Sequence, residues 1–169
     1  MSVKFWLKTS MYGGEAYHLQ FSNVALYDFF LGIGLTPAKS KTIGRLAIPD
    51  KYFTDFLRGY FDGDGSIWGY WDTRWKNSLM YYTSFASASL PFIQWLQEKN
   101  SKLLGVSSGH IKPGTRAMNL SYAKADSRIL FEAMYSKPSA FFLDRKRSKF
   151  IDFLRTDPYA SKAFLARVL

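Results

Sequence analysis

The chain has 169 residues, 47% of them hydrophobic and 18% aromatic, enough apolar mass for one folded domain or two small ones and too much for a disordered tail. Cysteine is absent and the histidines are His18 and His110, which excludes disulfides, thiolate zinc sites and cysteine nucleophiles and disfavours a histidine-built metal site. A formal charge of +10 points to a polyanionic partner, nucleic acid first, with a merely solvated basic surface as the plainer alternative. No apolar run approaches the roughly 20 residues of a membrane span. The N-terminus lacks the pattern of a secretory signal. The sequence therefore reads as intracellular, without a membrane partner.

Residues 3–9 (VKFWLKT) and 16–22 (AYHLQFS) alternate apolar and polar positions and predict two strands, joined by a loop at Gly13-Gly14. Residues 23–34 predict a short helix capped by Ser22 or Asn23 and stopped by glycine. A loop with Pro37 and the basic Lys39-Ser40-Lys41 follows. Pro49-Asp50 opens a second helix, along which Phe53, Phe56, Leu57, Tyr60 and Phe61 recur at helical spacing. That helix runs into Asp62-Gly63-Asp64-Gly65 and then into strands at 66–71 and 79–89. Ser89 is the expected cap of a helix over 90–104, ended by Gly105. Strands at 109–113 and 117–123, a helix over 125–135, Pro138, the basic run 143–154 and a final helix near 160–168 complete the chain.

Two parts of this order repeat. YHLQFS, a helix, Pro37 and KSK resemble MNLSYA, a helix, Pro138 and RKRSK. The first copy starts at the N-terminus, whereas the second is preceded by the Asp-Gly helix and an extra hairpin.

The Asp-Gly helix carries the chemistry. Gly59 and Gly63 lie four residues apart, so two such helices can approach with little side chain between them. Asp64 projects from the helix end, and a carboxylate beside backbone carbonyls suits a hard divalent cation. A partner helix would bring a second carboxylate to the same place, as two-metal phosphodiester chemistry requires. The plainer reading of the same residues is a turn or a calcium-like loop, although the later EF-hand ligands are missing.

Leu57-Arg58-Gly59-Tyr60-Phe61-Asp62-Gly63-Asp64-Gly65 resembles the motif of the LAGLIDADG homing endonucleases at the first leucine, the two internal glycines, both acids and the last glycine. Arg58 stands where that family usually has a small residue, a departure expected to loosen or reshape helix packing. The resemblance spans about residues 50–155 and implies an α+β fold of antiparallel sheets with flanking helices, an αββαββα half-domain over 50–169 behind a partial half-domain over 1–49. It implies a site-specific, double-strand DNA endonuclease that uses Mg²⁺ or Mn²⁺, acts on double-stranded DNA rather than a small-molecule substrate, and works as a homodimer. By resemblance Asp64 and the Gly63 carbonyl hold the metal, and Lys146 is the basic group at the scissile phosphate, with Lys39 or Lys41 as its counterpart in the first copy. Plain phosphate contact is the alternative role for these lysines.

Strand parity puts Ser66, Trp68 and Tyr70 on one face, and Tyr82 and Ser84 opposite Tyr81 and Thr83. Both faces carry aromatics. The resemblance favours the even-numbered residues for DNA, while polarity adds His110, Lys112, Asn119 and Ser121, and burial is the competing role of the aromatics. Phe56, Gly59, Tyr60 and Gly63 are the expected dimer interface. Two other functions remain open: a non-catalytic DNA- or RNA-binding protein on the same scaffold, such as a decayed enzyme, regulator or intron maturase, and a protein-interaction module, against which the charge argues.

Overall fold

A computed structural model describes residues 3–137, 141–160 and 162–168. Pro138, expected between the helix over 125–135 and the basic run 143–154, lies outside the described residues. The first strands, β1 (Val3–Thr9) and β2 (Glu15–Phe21), form a two-stranded antiparallel hairpin. Its register places Val3, Phe5 and Leu7 opposite Phe21, Leu19 and Tyr17, so one face is apolar until the Thr9–Glu15 pair at the turn. Helix α1 (Val24–Gly32) follows, and the Asn23 side chain accepts from the Leu26 N–H at 2.9 Å as its N-cap. None of the α1 residues is buried. Below that unit, residues 35–48 turn onto the rest of the molecule through Leu35, Ile43, Ile48 and the buried Leu46.

After a turn of 3₁₀-helix at Asp50–Tyr52, α2 spans Phe53–Asp64. Phe53, Leu57 and Phe61 are fully buried along one face. Burial of each such side chain contributes roughly 1.5–3 kcal/mol, far more than the two interior glycines cost the helix at about 1 kcal/mol each. The chain continues through β3 (Ser66–Trp71), β4 (Leu79–Ser87), α3 (Leu90–Leu104), β5 (His110–Pro113), β6 (Met118–Tyr122) and α4 (Lys124–Tyr135). The strands make one antiparallel sheet in the order β3-β4-β6-β5. The order α2-β3-β4-α3-β5-β6-α4 is therefore αββαββα in an α+β fold, as expected.

The sheet's inner face is the odd-numbered face of β3 and β4 (Ile67, Leu79, Tyr81, Thr83, Phe85) joined to Leu120 and Tyr122 of β6, all buried against the helices. Gly69 belongs to this face, and a Cβ there would stand 2.6 Å from the Phe153 ring and 2.5 Å from the Met80 carbonyl. Glycine is what allows α5 (Asp144–Thr156) to close on β3. Gly105 ends α3 in the left-handed region, φ 71°, where glycine is unstrained. Ser89 holds the N-cap position of α3, but its hydroxyl donates to the Ile43 carbonyl rather than capping the helix. Buried Asp157, just past α5, accepts from Lys124 at 2.6 Å and from Arg128, fastening the end of α5 to α4. Helix α6 (Lys162–Val168) adds Phe164 and Leu165 to the periphery of the core.

The sequence repeat is also a structural one. Residues 17–37 align with 118–138 without a gap, Tyr17, Leu19, Phe21, Phe29 and Phe30 falling on Met118, Leu120, Tyr122, Leu130 and Phe131. In the second copy Leu120, Leu130 and Phe131 are fully buried beneath α2, β4 and α3. In the first, Leu19 is 62% exposed and Phe29 58%, since among the described residues no second αββ unit covers them.

Candidate functional site

Helix α2 divides its sides between its own core and solvent. Arg58, 8% exposed, donates from Nε to the Phe141 carbonyl at 2.9 Å and from Nη1 to the Met134 carbonyl at 3.2 Å, and pairs with Asp55 at 3.0 Å. Arg58, expected to loosen or reshape helix packing, turns its guanidinium inward and ties α2 to the end of α4. Two of its donors satisfy backbone carbonyls that a small residue would leave unpaired, and a third meets the Asp55 carboxylate. Asp62 is likewise committed, accepting from the Tyr135 hydroxyl at 2.6 Å and the Leu143 N–H at 2.9 Å. Burial, then the hydrogen bond and charge of Asp62, push the Tyr135 phenol far above its ordinary value.

Gly59 and Gly63 point the other way. Both are exposed, and among the described residues a Cβ added at either would meet no atom within 4 Å outside its own stretch of helix. Phe56 and Tyr60, expected at the same interface, are half-buried instead against α3 and β4: Tyr60 stacks on Phe85 at 6.0 Å, meets Phe92 edge-on at 5.1 Å and donates to the Ala86 carbonyl at 2.5 Å. Burial and then the charge of Asp64 raise the Tyr60 phenol to about 12.

Asp64 is exposed at the end of this helix. Lys146, on the first turn of α5, donates to the carbonyl of Gly65 and lies over the Phe61 ring at 5.4 Å. Partial burial, then repulsion from Arg145, lowers the Lys146 pKa, with Asp62 and Asp64 acting in the opposite sense. Residues 81 positions apart in sequence, Gly65 and Lys146, thus meet where β3 leaves α2, bringing an amine to the backbone beside the exposed Asp64 carboxylate. A cleft of about 480 Å³ opens on the other side of Asp64, lined also by Tyr60, Ser87, Lys39 and Ser40. Lys39 therefore shares a cleft with Asp64, whereas Lys41 is exposed and does not line it.

The remaining site candidates come together on the sheet's outer face. Ser66 pairs with Ser84, Ser84 with Ser121, and Ser121 with His110, forming one cross-strand row. Asn119 and Lys112 form the next row, and Trp68, Tyr82 and Tyr70 extend toward the β3–β4 turn. The question of which parity faces outward is settled by burial, since the odd residues of β3 and β4 are core. The inward roles of Asp62 and Arg58 had no signal in the sequence, because the groups that hold them there lie more than 70 residues away: Met134 and Phe141 for Arg58, Tyr135 and Leu143 for Asp62.

A motif helix opening into a four-stranded antiparallel sheet, with Asp64 and Lys146 at the junction, decides the likeness. The chain resembles the LAGLIDADG homing endonucleases. No family model matches it, and no curated protein does. Solved structures of LAGLIDADG-type proteins do. One is the homing endonuclease I-CvuI in complex with the I-CreI target with Mg, its DNA not cleaved: 17% identity, TM-score 0.47, 69% of this chain and 74% of that one. Another is the homing endonuclease I-TnaI: 17% identity, TM-score 0.47, 68% of this chain and 82% of that one. Among the described residues no helix is long and apolar enough to cross a membrane.

Proposed function

We infer that the chain is a DNA-binding half of a homing-type endonuclease, which makes site-specific double-strand breaks by divalent-metal-dependent hydrolysis once two motif helices meet. The observation that carries this reading is the open Gly59–Gly63 face of α2, ending in a free Asp64 beside Lys146.

A resident Mg²⁺ or Mn²⁺ fits this chain only as half a site. Among the described residues no three acidic or histidine side chains cluster as metal ligands, and both Asp62 oxygens are already engaged. One chain offers the Asp64 carboxylate and, beside it, the Gly63 carbonyl, whereas a hard cation takes about six oxygens. A second copy seated on Gly59 and Gly63 adds a second carboxylate, and the DNA phosphates and water supply the rest. Bound there, the metal would polarise the phosphate and activate water. The chain's own part is positional. The polar rows of the sheet's outer face, with Lys39, Lys41 and Lys112, hold the duplex, and the small glycine face lets two carboxylates approach. Lys146, its pKa lowered by burial, stabilises charge developing on the phosphate or orders the attacking water.

In this reading residues 1–49 are a partial half-domain, whose apolar β1–β2 face awaits an αββ unit like the one that covers β6. A second reading, a non-catalytic binder on the same scaffold, draws support from that incomplete half and from the lone uncommitted carboxylate at the end of α2, since Asp62 is engaged. Asp64→Asn separates the two. Under the endonuclease reading it retains duplex binding and abolishes Mg²⁺-dependent strand scission, read on a site-selection library. A wild-type chain that binds duplex but never cuts supports the binder; an Asp64→Asn chain that cuts at the wild-type rate removes Asp64 from the chemistry.

A further inference from the structure

The outer face of the sheet is not uniform. Toward Lys112 and Asn119 it presents hydrogen-bonding groups, but toward the β3–β4 turn it becomes an aromatic patch. Trp68 and Tyr82 stack at 4.6 Å with rings 17° apart, and Tyr70 lies 6.3 Å from each, at 20° and 17°. All three rings are thus close to parallel. Trp68 remains 45% exposed and Tyr70 47%, although large apolar surface on a sheet is ordinarily covered.

The polar atoms of this patch are already used. The Trp68 indole N–H donates to Ser84 Oγ at 3.3 Å, and the neighbouring Tyr70 hydroxyl, with burial, raises the Tyr82 phenol above its ordinary value. Base edges in a duplex groove are read by hydrogen-bond donors and acceptors, of which the patch has few to spare. What it offers is π surface on a strongly basic chain, and π surface matches the faces of bases. Faces are accessible only where bases are unpaired and unstacked.

We propose that Trp68, Tyr70 and Tyr82 form a stacking platform for unpaired nucleobases, so that this part of the sheet takes single-stranded nucleic acid. The proposal rests on the nucleic-acid reading above and adds the state of the strand that the patch recognises. Trp68 lies four residues beyond Asp64, about 13 Å at the rise of a strand. The platform would therefore hold a strand opened next to the point of cutting.

The test uses the full chain in EDTA, with a fluorescein-labelled mixed-sequence DNA oligonucleotide of about 12 nucleotides, single-stranded or annealed to its complement, read by anisotropy. Trp68→Ala and Tyr82→Ala should lower the ratio of single-strand to duplex affinity by roughly fivefold or more, and Trp68→Phe, which keeps a ring, should restore most of it. A ratio unchanged in both alanine variants overturns the platform while leaving duplex binding intact, as does a larger loss on duplex, the mark of thymine-methyl contact in the major groove. A wild-type chain that binds neither ligand at low salt overturns both the platform and the nucleic-acid reading beneath it.

Discussion

Replacing Gly59 with alanine and with leucine puts the central helix to a test with two opposite signs. Among the described residues nothing outside its own stretch of α2 lies within 4 Å of a Cβ at Gly59, so a methyl group there clashes with no neighbour. The position lies in the interior of α2, where alanine is favoured over glycine by about 1 kcal/mol. The isolated chain should therefore become more stable in Gly59→Ala, with Tm raised by about 2–4 °C for a domain of this size. Gly59→Leu should also fold, since the added side chain enters solvent. If α2 pairs with its copy through this face, however, leucine forces the two backbones apart and abolishes the dimer. Thermal unfolding followed by circular dichroism in dilute protein reads the first effect, and light scattering on a sizing column in concentrated protein reads the second. A lower Tm in Gly59→Ala would mean that the glycine face is packed within the chain. A Gly59→Leu protein that keeps the dimer mass of the wild type would show that pairing runs through another surface.

Two further outcomes follow from the buried polar groups. Asp157 is 3% exposed and answers two cations, so Asp157→Ala leaves Lys124 and Arg128 without their anion and should cost about 3–5 kcal/mol, or about 6–20 °C in Tm. The exposed Arg45–Glu98 pair serves as the control, with Glu98→Ala expected within about 0.5 kcal/mol of wild type in urea unfolding. The second outcome concerns alkaline pH. Burial raises the phenols of Tyr81 and Tyr122 from 10.0 to about 12, and both side chains are at most 1% exposed. Between those values the unfolded chain loses protons that the folded chain keeps, so stability present below pH 10 falls as pH rises toward about 12. Each phenol accounts for roughly 2–3 kcal/mol of that fall. Tyrosinate absorbance from this pair should rise together with loss of circular dichroism; ionisation of all tyrosines near pH 10 with the fold intact would contradict their burial.

Much of the architecture was readable because it is local. Alternation over residues 3–9 and 66–71, the helical spacing of Phe53, Leu57 and Phe61, and the glycine at 105 each act within a few residues, and the corresponding elements form. Asp64 at a helix end and Gly59–Gly63 on one side of that helix follow from the same periodicity. The parity of β3 and β4 was also legible, but not which parity faces outward. Aromatic residues lie on both faces, and only the helices packed on Tyr81 and Phe85 decide it.

Tertiary structure alone decided the rest. Arg58 looked like a flaw in the motif and proved to be a tie between α2 and residues 134–141, because its partners are carbonyls that carry no sequence signature. Asp62 and Asp64 are two acids of one dipeptide-spaced motif, yet one is consumed by Tyr135 and Leu143 and the other is free. The repeat was visible as a pattern, but the contrast between a buried Leu120 and an exposed Leu19 was not. Side-chain type and spacing determine which face of an element is apolar. Whether that face is covered depends on what the rest of the chain brings to it, and that is a property of the assembled fold.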